Sequence, residues 1–159
     1  MKRENILKLF IKKVSAELDT LSQIAEQTRK SATDKDLKQE GKYDTRAIEE
    51  GYLAGAQAKR VSQLEADLSL LEAIASDIQT KHVQEGSIVK VVEEEDEKTY
   101  KYLIFKGSGG IKVSKDQTEV SSLSLRSKIA EELLGLEVGE SAIAETPKGE
   151  KEYIILSID

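Results

Sequence analysis

The sequence predicts an α+β protein with an amino-terminal antiparallel helical hairpin and a carboxy-terminal antiparallel β domain that contains one short helix. The hairpin is predicted because apolar residues recur at heptad spacing on both sides of one polar stretch, residues 33–41, and the only proline is Pro147. The β domain is predicted because short β-branched and aromatic runs begin at about Ser87. These observations place two domains at residues 1–80 and 81–159.

Both helices are predicted by stripes whose spacings alternate between four and three, which keeps a stripe on one side of a helix. The first stripe comprises Leu7, Ile11, Val14, Leu18, Leu21, Ala25, Thr28 and Ala32. The second stripe comprises Ala54, Ala58, Val61, Leu64, Leu68, Leu71, Ala75 and Ile78. Because the turn between them is short, we expect the helices to pair antiparallel within one chain. A coiled-coil dimer or a bundle fragment is the alternative.

The polar bend between the stripes carries a group of carboxylates. Asp36 stands before Leu37 as an N-cap stands before a helix, with Gln39 in the capping-box position, so the second helix is predicted to begin at about Leu37. The neighbouring carboxylates are Asp34, Glu40 and Asp44. Clustered carboxylates suit a hard cation such as Mg²⁺, but an exposed tip has no walls, so a partner would complete any site. A helix cap on a solvated acidic surface is the alternative.

Small residues occupy the stripes near the bend. Gly51 and Gly55 each cost about 1 kcal/mol of helix propensity relative to alanine. A close approach of the helices would explain why this cost is tolerated, so the glycines predict a thin distal end. Alternatively, the glycines accommodate a bulky neighbour such as Tyr43 or Tyr52.

The β domain is predicted from alternating patterns and turn residues. The predicted strands are residues 87–92, 99–105, 142–145 and 151–156, which form two hairpins. Residues 93–97 between the first two strands are predicted to be a solvated acidic turn. A short helix over residues 127–134 is expected to end at Gly135, a typical capping residue. The glycine-rich residues 107–110 lack the Lys-Ser/Thr of a phosphate-binding loop and are interpreted as a turn.

Composition excludes several classes of protein. The net charge of −6 argues against nucleic-acid binding through general phosphate contacts. The absence of cysteine excludes a disulfide scaffold and a thiolate zinc site. No apolar run approaches the length of a membrane span, and lysines interrupt the first apolar run. We therefore expect a soluble, cytoplasmic protein that contacts no membrane.

Two stretches of the second half resemble the carboxy-terminal domain of the bacterial Gre transcript-cleavage factors. Residues 129–140 carry a helix followed by Leu-Leu-Gly-x-x-Val-Gly-Glu, and residues 145–153 carry Thr-Pro-x-Gly-x-x-Glu-Tyr. The first half resembles the coiled-coil hairpin of the same family, because Asp36-Leu37-Lys38 matches the start of its tip motif. Tyr43, Gly51 and Gly55 follow at matching spacings.

The resemblance implies an FKBP-like β domain that docks at the rim of the secondary channel of RNA polymerase and a hairpin that enters this channel. In the family, an Asp and a Glu three residues later help the polymerase to hold a second Mg²⁺ and to cleave backtracked RNA. The chain would then be an auxiliary factor and not an enzyme. It would share Mg²⁺ with the polymerase active site, bind none alone, and approach the 3′ end of the nascent RNA.

The resemblance also assigns roles to individual residues. Asp36 is the leading catalytic and metal-positioning carboxylate. Gln39 stands at the position of the family's Glu, so Glu40 is assigned as the weaker companion of Asp36 in both roles. Ser127 and Lys128 are assigned to the polymerase rim, where family members commonly carry Ser-Pro. Arg46 belongs to the cations around the bend that would contact RNA or polymerase.

Three other functions fit parts of the sequence. A non-cleaving homologue that occupies the channel and inhibits or tunes transcription is the alternative within the family. A peptidyl-prolyl isomerase would need an aromatic pocket, to which this chain brings only two Phe, five Tyr and no Trp. A helical chaperone or adaptor would use the apolar edge of the hairpin and would need no acids at the tip.

Overall fold

The computed structural model of this chain describes residues 2–38, 45–74 and 81–159, without the side chains of residues 32–38, 45–50 and 52. Contacts divide the chain into two compact units, of which one comprises Met1–Ile11 with Ser69–Asp159 and the other Lys12–Leu68. The domain boundary at residue 80 stays a prediction. Within the described residues, no helix is both long enough and apolar enough to span a bilayer.

Two long helices form the first half of the chain. Helix α1 spans Arg3–Lys38 and α2 spans Thr45–Ala73, which are 36 and 29 residues. Within residues 12–68 the two helices are antiparallel. Arg60 Nη2 donates to Glu17 Oε1 at 2.9 Å, and residues 22–29 of α1 line the same groove as residues 54–62 of α2. The predicted antiparallel hairpin is confirmed.

The prediction that Asp36 caps the second helix is wrong. Asp36 lies inside the last turn of α1, which continues to Lys38, and α2 begins at Thr45 instead of Leu37. The physical reason is that no glycine or proline occurs before Gly41 to stop the first helix.

The prediction that Gly51 and Gly55 permit a close approach of the helices is also wrong. Both glycines are exposed in α2, and a Cβ added at either one would meet no described heavy atom within 4 Å. Ala54 lies between the two glycines and Ala58 follows them. Together with Ala25, these alanines line a groove of about 340 Å³. The small residues therefore leave space between the helices instead of closing it.

A six-stranded sheet forms the second half of the chain. Its strands are β1 (Ile88–Glu93), β2 (Thr99–Phe105), β3 (Lys112–Lys115), β4 (Thr118–Ser124), β5 (Ser141–Thr146) and β6 (Gly149–Ile158). The strand order is β3-β4-β2-β1-β6-β5. All neighbouring pairs are antiparallel except β2 and β4, which are parallel. The two predicted hairpins are confirmed as β1–β2 and β5–β6, whereas β3 and β4 lie where the sequence analysis placed no strand.

The short helix α3 (Lys128–Leu133) packs on one face of the sheet. Alternation along the strands directs Val91, Ile104 and Ile155 toward this face, where they cluster with Ala130 and Leu133 of α3. The predicted cap is confirmed, because Gly135 follows α3 with a φ of +82° and donates its N–H to Val83 O at 2.8 Å.

The start of α1 belongs to the same compact unit as the sheet and is bonded to it through Arg3. Its side chain is only 9% exposed, and Nε and Nη2 donate to Gly86 O at 3.1 and 2.7 Å. A buried guanidinium requires such partners because its desolvation is costly. This bond ties the first turn of α1 to the segment that leads into β1.

Replacing Gly55 by alanine is expected to stabilise the hairpin. The position is helical, exposed and has free space for a Cβ, so Gly55→Ala should raise the free energy of unfolding by about 1 kcal/mol through helix propensity. Urea denaturation followed by helical circular dichroism measures the change. The matched control is Ala56→Gly at the adjacent exposed position, which should lose a similar amount. A Gly55→Ala protein less stable than the parent would contradict the absence of a close helix approach.

Candidate functional site

The structure describes the backbone of two of the three predicted tip residues. Asp36 lies in the last turn of α1, and Arg46 is the second residue of α2. Glu40 lies outside the described residues, as do Gln39 and Asp44. The roles assigned to Asp36, Glu40 and Arg46 therefore stay predictions.

The position of Asp36 is electrostatically unfavourable for the helix. The carboxyl end of a helix carries partial negative charge, so a carboxylate in the last turn costs about 0.3–1 kcal/mol. At the N-cap of a helix, the same side chain would have stabilised the helix. Capping therefore does not explain an Asp at this position, and a solvated acidic surface is the structural alternative that is left to a functional role.

The described residues hold no complete metal site. Across residues 2–31, 51, 53–74 and 81–159, no three His, Asp or Glu side chains come together as candidate ligands. Asp36 brings one carboxylate, which is a hard oxygen ligand of the kind that Mg²⁺ accepts. An ion held at this position would need further ligands from elsewhere.

Below the tip, the facing sides of the two helices form an open groove with a mixed polar and apolar lining. Its walls include Ser22, Glu26 and Arg29 of α1 and Ser62 of α2. Glu26 is also part of an ion pair along α1, because Lys30 Nζ lies 3.1 Å from Glu26 Oε1. The hairpin thus presents charged groups at its sides and small side chains between the helices.

Ser127 and Lys128 lie together at the start of α3. Ser127 is the N-cap, since its hydroxyl accepts a bond from Ala130 N at 3.2 Å. Lys128 is the first helical residue, where proline is otherwise favoured. Its side chain is 71% exposed, with Nζ 3.5 Å from Glu131 Oε2. Ser127 therefore fixes the local backbone, and Lys128 presents a cation to the surroundings.

A buried ion pair in the β domain was not predicted from the sequence. Glu93 was expected in a solvated turn, but it ends β1 with its side chain 4% exposed and accepts a hydrogen bond from Lys151 of β6. This bond and the charge of Glu93 raise the pKa of Lys151. The partners are 58 residues apart in the chain, so the acidic run alone gave no signal of their pairing.

Tyrosines pack beside this ion pair on the α3 face. The rings of Tyr100 and Tyr102 stack with centroids 5.9 Å apart, and Tyr153 is buried among the core residues. Burial raises the pKa of Tyr102, and nearby Tyr153, Tyr100 and Glu93 add to the shift. These aromatic side chains pack against the core of the domain.

A family model supports the resemblance of the second half. Residues 78–159 match the family described as "Transcription elongation factor, GreA/GreB, C-term", and this match covers more than half of the 159 residues. The match contains β1 to β6, α3 and the predicted docking residues Ser127 and Lys128.

Curated relatives carry the same family name. The transcription elongation factor GreA of Cereibacter sphaeroides is 28% identical over 123 residues, which cover 77% of this chain and 75% of that protein. The GreA of Ruthia magnifica is 29% identical over 133 residues, which cover 78% and 73%. The crystal structure of GreA factor homolog 1 of Thermus thermophilus aligns with a TM-score of 0.38 and 20% identity, covering 94% of each chain. On the strength of its matched carboxy-terminal domain, this chain belongs to the GreA/GreB family of transcription elongation factors.

Proposed function

We propose that this protein binds RNA polymerase, inserts the end of its hairpin into the secondary channel and promotes cleavage of backtracked RNA. The single observation that carries the proposal is the placement of Asp36 in the last turn of α1, in a chain whose second half belongs to the GreA/GreB family. The protein acts as an auxiliary factor, and the polymerase supplies the active site.

The hairpin supports this role through its length and its charge. At 1.5 Å per residue, about 36 Å of α1 separates Lys12 from Asp36 within the helical unit. The carboxylate at its end disfavours the helix, as expected of a side chain kept for function and not for stability.

Each residue has a distinct task in this proposal. Asp36 presents a carboxylate that helps to position the ion and the attacking water, and Glu40 is its weaker companion. Mg²⁺, when bound in the polymerase, lowers the pKa of the water and stabilises charge on the phosphate. Arg46 contacts RNA or polymerase acids near the tip. Ser127 holds the start of α3 so that exposed Lys128 meets the rim of the channel.

A non-cleaving factor is the second candidate, and Gln39 favours it. A neutral amide at the position of the family's second carboxylate supplies no charge for a metal ligand. Such a protein would still enter the channel, and it would inhibit or tune transcription by occupying it.

Asp36→Asn is expected to abolish cleavage without loss of stability. The change removes the carboxylate, so cleavage in stalled polymerase complexes should fall at least about tenfold. The same change removes negative charge from the carboxyl end of α1, so the free energy of unfolding should stay equal or rise by about 0.5 kcal/mol. A gel assay of backtracked RNA and a urea titration measure the two effects.

The matched control is Asp19→Asn, which removes the same charge at an exposed position of the same helix. It should leave cleavage unchanged. Undiminished cleavage by Asp36→Asn would remove Asp36 from the mechanism. A parent protein that binds no polymerase at all would favour the helical adaptor.

Gln39→Glu is expected to raise cleavage by restoring a second carboxylate three residues after Asp36. Gln27→Glu, at an exposed position of α1, adds the same charge away from the tip and should have no effect. The assay is single-round cleavage at saturating factor. A parent that inhibits transcription without cleavage, together with a Gln39→Glu variant that cleaves, would establish the second candidate. Equal gains in both variants would show that only the net charge matters.

A further inference from the structure

A polar groove on the β domain lies apart from all the residues assigned above. It has a volume of about 330 Å³ and lies where β2 and β4 begin, and its lining comes from both faces of the sheet, since Tyr100 belongs to the α3 face. Its lining includes Lys90, Thr99, Lys101, Gln117, Thr118 and Glu119, from β1, β2, β4 and the turn before β4. Most of these side chains carry hydrogen-bond donors.

Two like charges meet directly in this groove. Lys90 and Lys101 are opposite each other in the register of β1 and β2. Like charges at such positions destabilise a sheet. Lys101 Nζ lies 3.4 Å from Asp159 Oδ2, but in the described part of the chain no carboxylate lies within 4 Å of Lys90 Nζ. Lys90 is exposed and has no carboxylate partner in the described part of the chain, and a bound anion would offset its repulsion from Lys101.

The backbone is strained beside the same groove. Asp116 and Gln117 connect β3 to β4 with φ of +50° and +64°. A two-residue turn of this kind favours glycine at its second position, because other side chains are rarely tolerated there. Gln117 nevertheless occupies it and lines the groove. Strain at a position that faces a cavity points to a function of the side chain.

We propose that this groove binds the phosphate group of a small, polar, phosphorylated molecule. The ammonium groups of Lys90 and Lys101 supply the charge for the phosphate. The Thr99 and Thr118 hydroxyls and the Gln117 amide supply neutral donors.

The rest of the ligand is polar because the groove offers it polar partners. The volume of the groove lies at the lower end of the roughly 300–1,000 Å³ typical of small-molecule sites, so it has room for more than a phosphate ion. Glu119, held by Lys112 at 2.9 Å, presents carboxylate oxygens that accept bonds from ligand hydroxyls. A sugar phosphate has this combination of groups.

Titration of the full chain with glucose 6-phosphate and with inorganic phosphate tests the proposal. Backbone amide NMR at constant ionic strength, balanced with sodium chloride, should show shifts at residues 90, 99, 101 and 117–119. Glucose 6-phosphate should bind at least about threefold more tightly than inorganic phosphate, because it also bonds to the groove walls. Amide shifts no larger than those caused by sodium chloride alone would overturn the proposal. Equal affinity for glucose 6-phosphate and inorganic phosphate would also overturn it.

Variants separate the groove from general surface charge. Lys90→Gln should weaken binding of glucose 6-phosphate about tenfold. Lys148→Gln removes the same charge at an exposed turn between β5 and β6 and should change the affinity less than twofold. Equal losses in both variants would overturn the site.

Gln117→Gly distinguishes a binding role from a structural one. Glycine relieves the positive φ, so the melting temperature should not fall, while affinity should drop about fivefold. Unchanged affinity would remove Gln117 from the site. A single-stranded RNA that displaces glucose 6-phosphate at an equal concentration of phosphate groups would identify a polynucleotide surface and overturn the small-molecule proposal.

Discussion

The pairing of α2 against α1 is the constraint on which the proposed role of this protein depends. An isolated helix is only marginally stable in water, because nucleation is unfavourable and the ends fray, so most helical stability in proteins comes from packing. Within residues 12–68, Val14 of α1 and Leu64 of α2 are each 1% exposed, and Glu17 bonds to Arg60. This packing stabilises α1 around Val14 and Glu17, and the helix continues to Lys38.

The packing weakens along the hairpin toward the bend. Ile24 and Leu53 are 41% and 53% exposed, and the facing alanines border a groove instead of a filled seam. Small side chains reduce the buried apolar area, so this end contributes less free energy per turn. The unfavourable charge of Asp36 adds to the cost. The hairpin therefore has a well-packed part near Leu64 and a less stable end, as is common for segments that act on a partner.

Much of the fold could be predicted because its strongest signals are periodic. The heptad stripes gave the hairpin, and alternating β-branched runs gave β1, β2, β5 and β6. The Lys- and Ser-rich strands β3 and β4 could not be predicted, because they carry few β-branched residues. The burial of Glu93 depends on a lysine far away in the chain. The bend between the stripes could be located, but the helix ends beside it could not. Asp36 has the residue type of an N-cap, whereas the absence of glycine and proline before Gly41 lets α1 continue through it.

Photocrosslinking from the end of α1 tests the central claim most directly. A photoreactive benzoylphenylalanine at position 35, one residue before Asp36, should crosslink to polymerase segments that line the secondary channel. The same group at position 148, in the exposed turn between β5 and β6, should not. Crosslinks confined to the outer surface of polymerase, or their absence in a protein that still binds, would contradict entry of the hairpin into the channel.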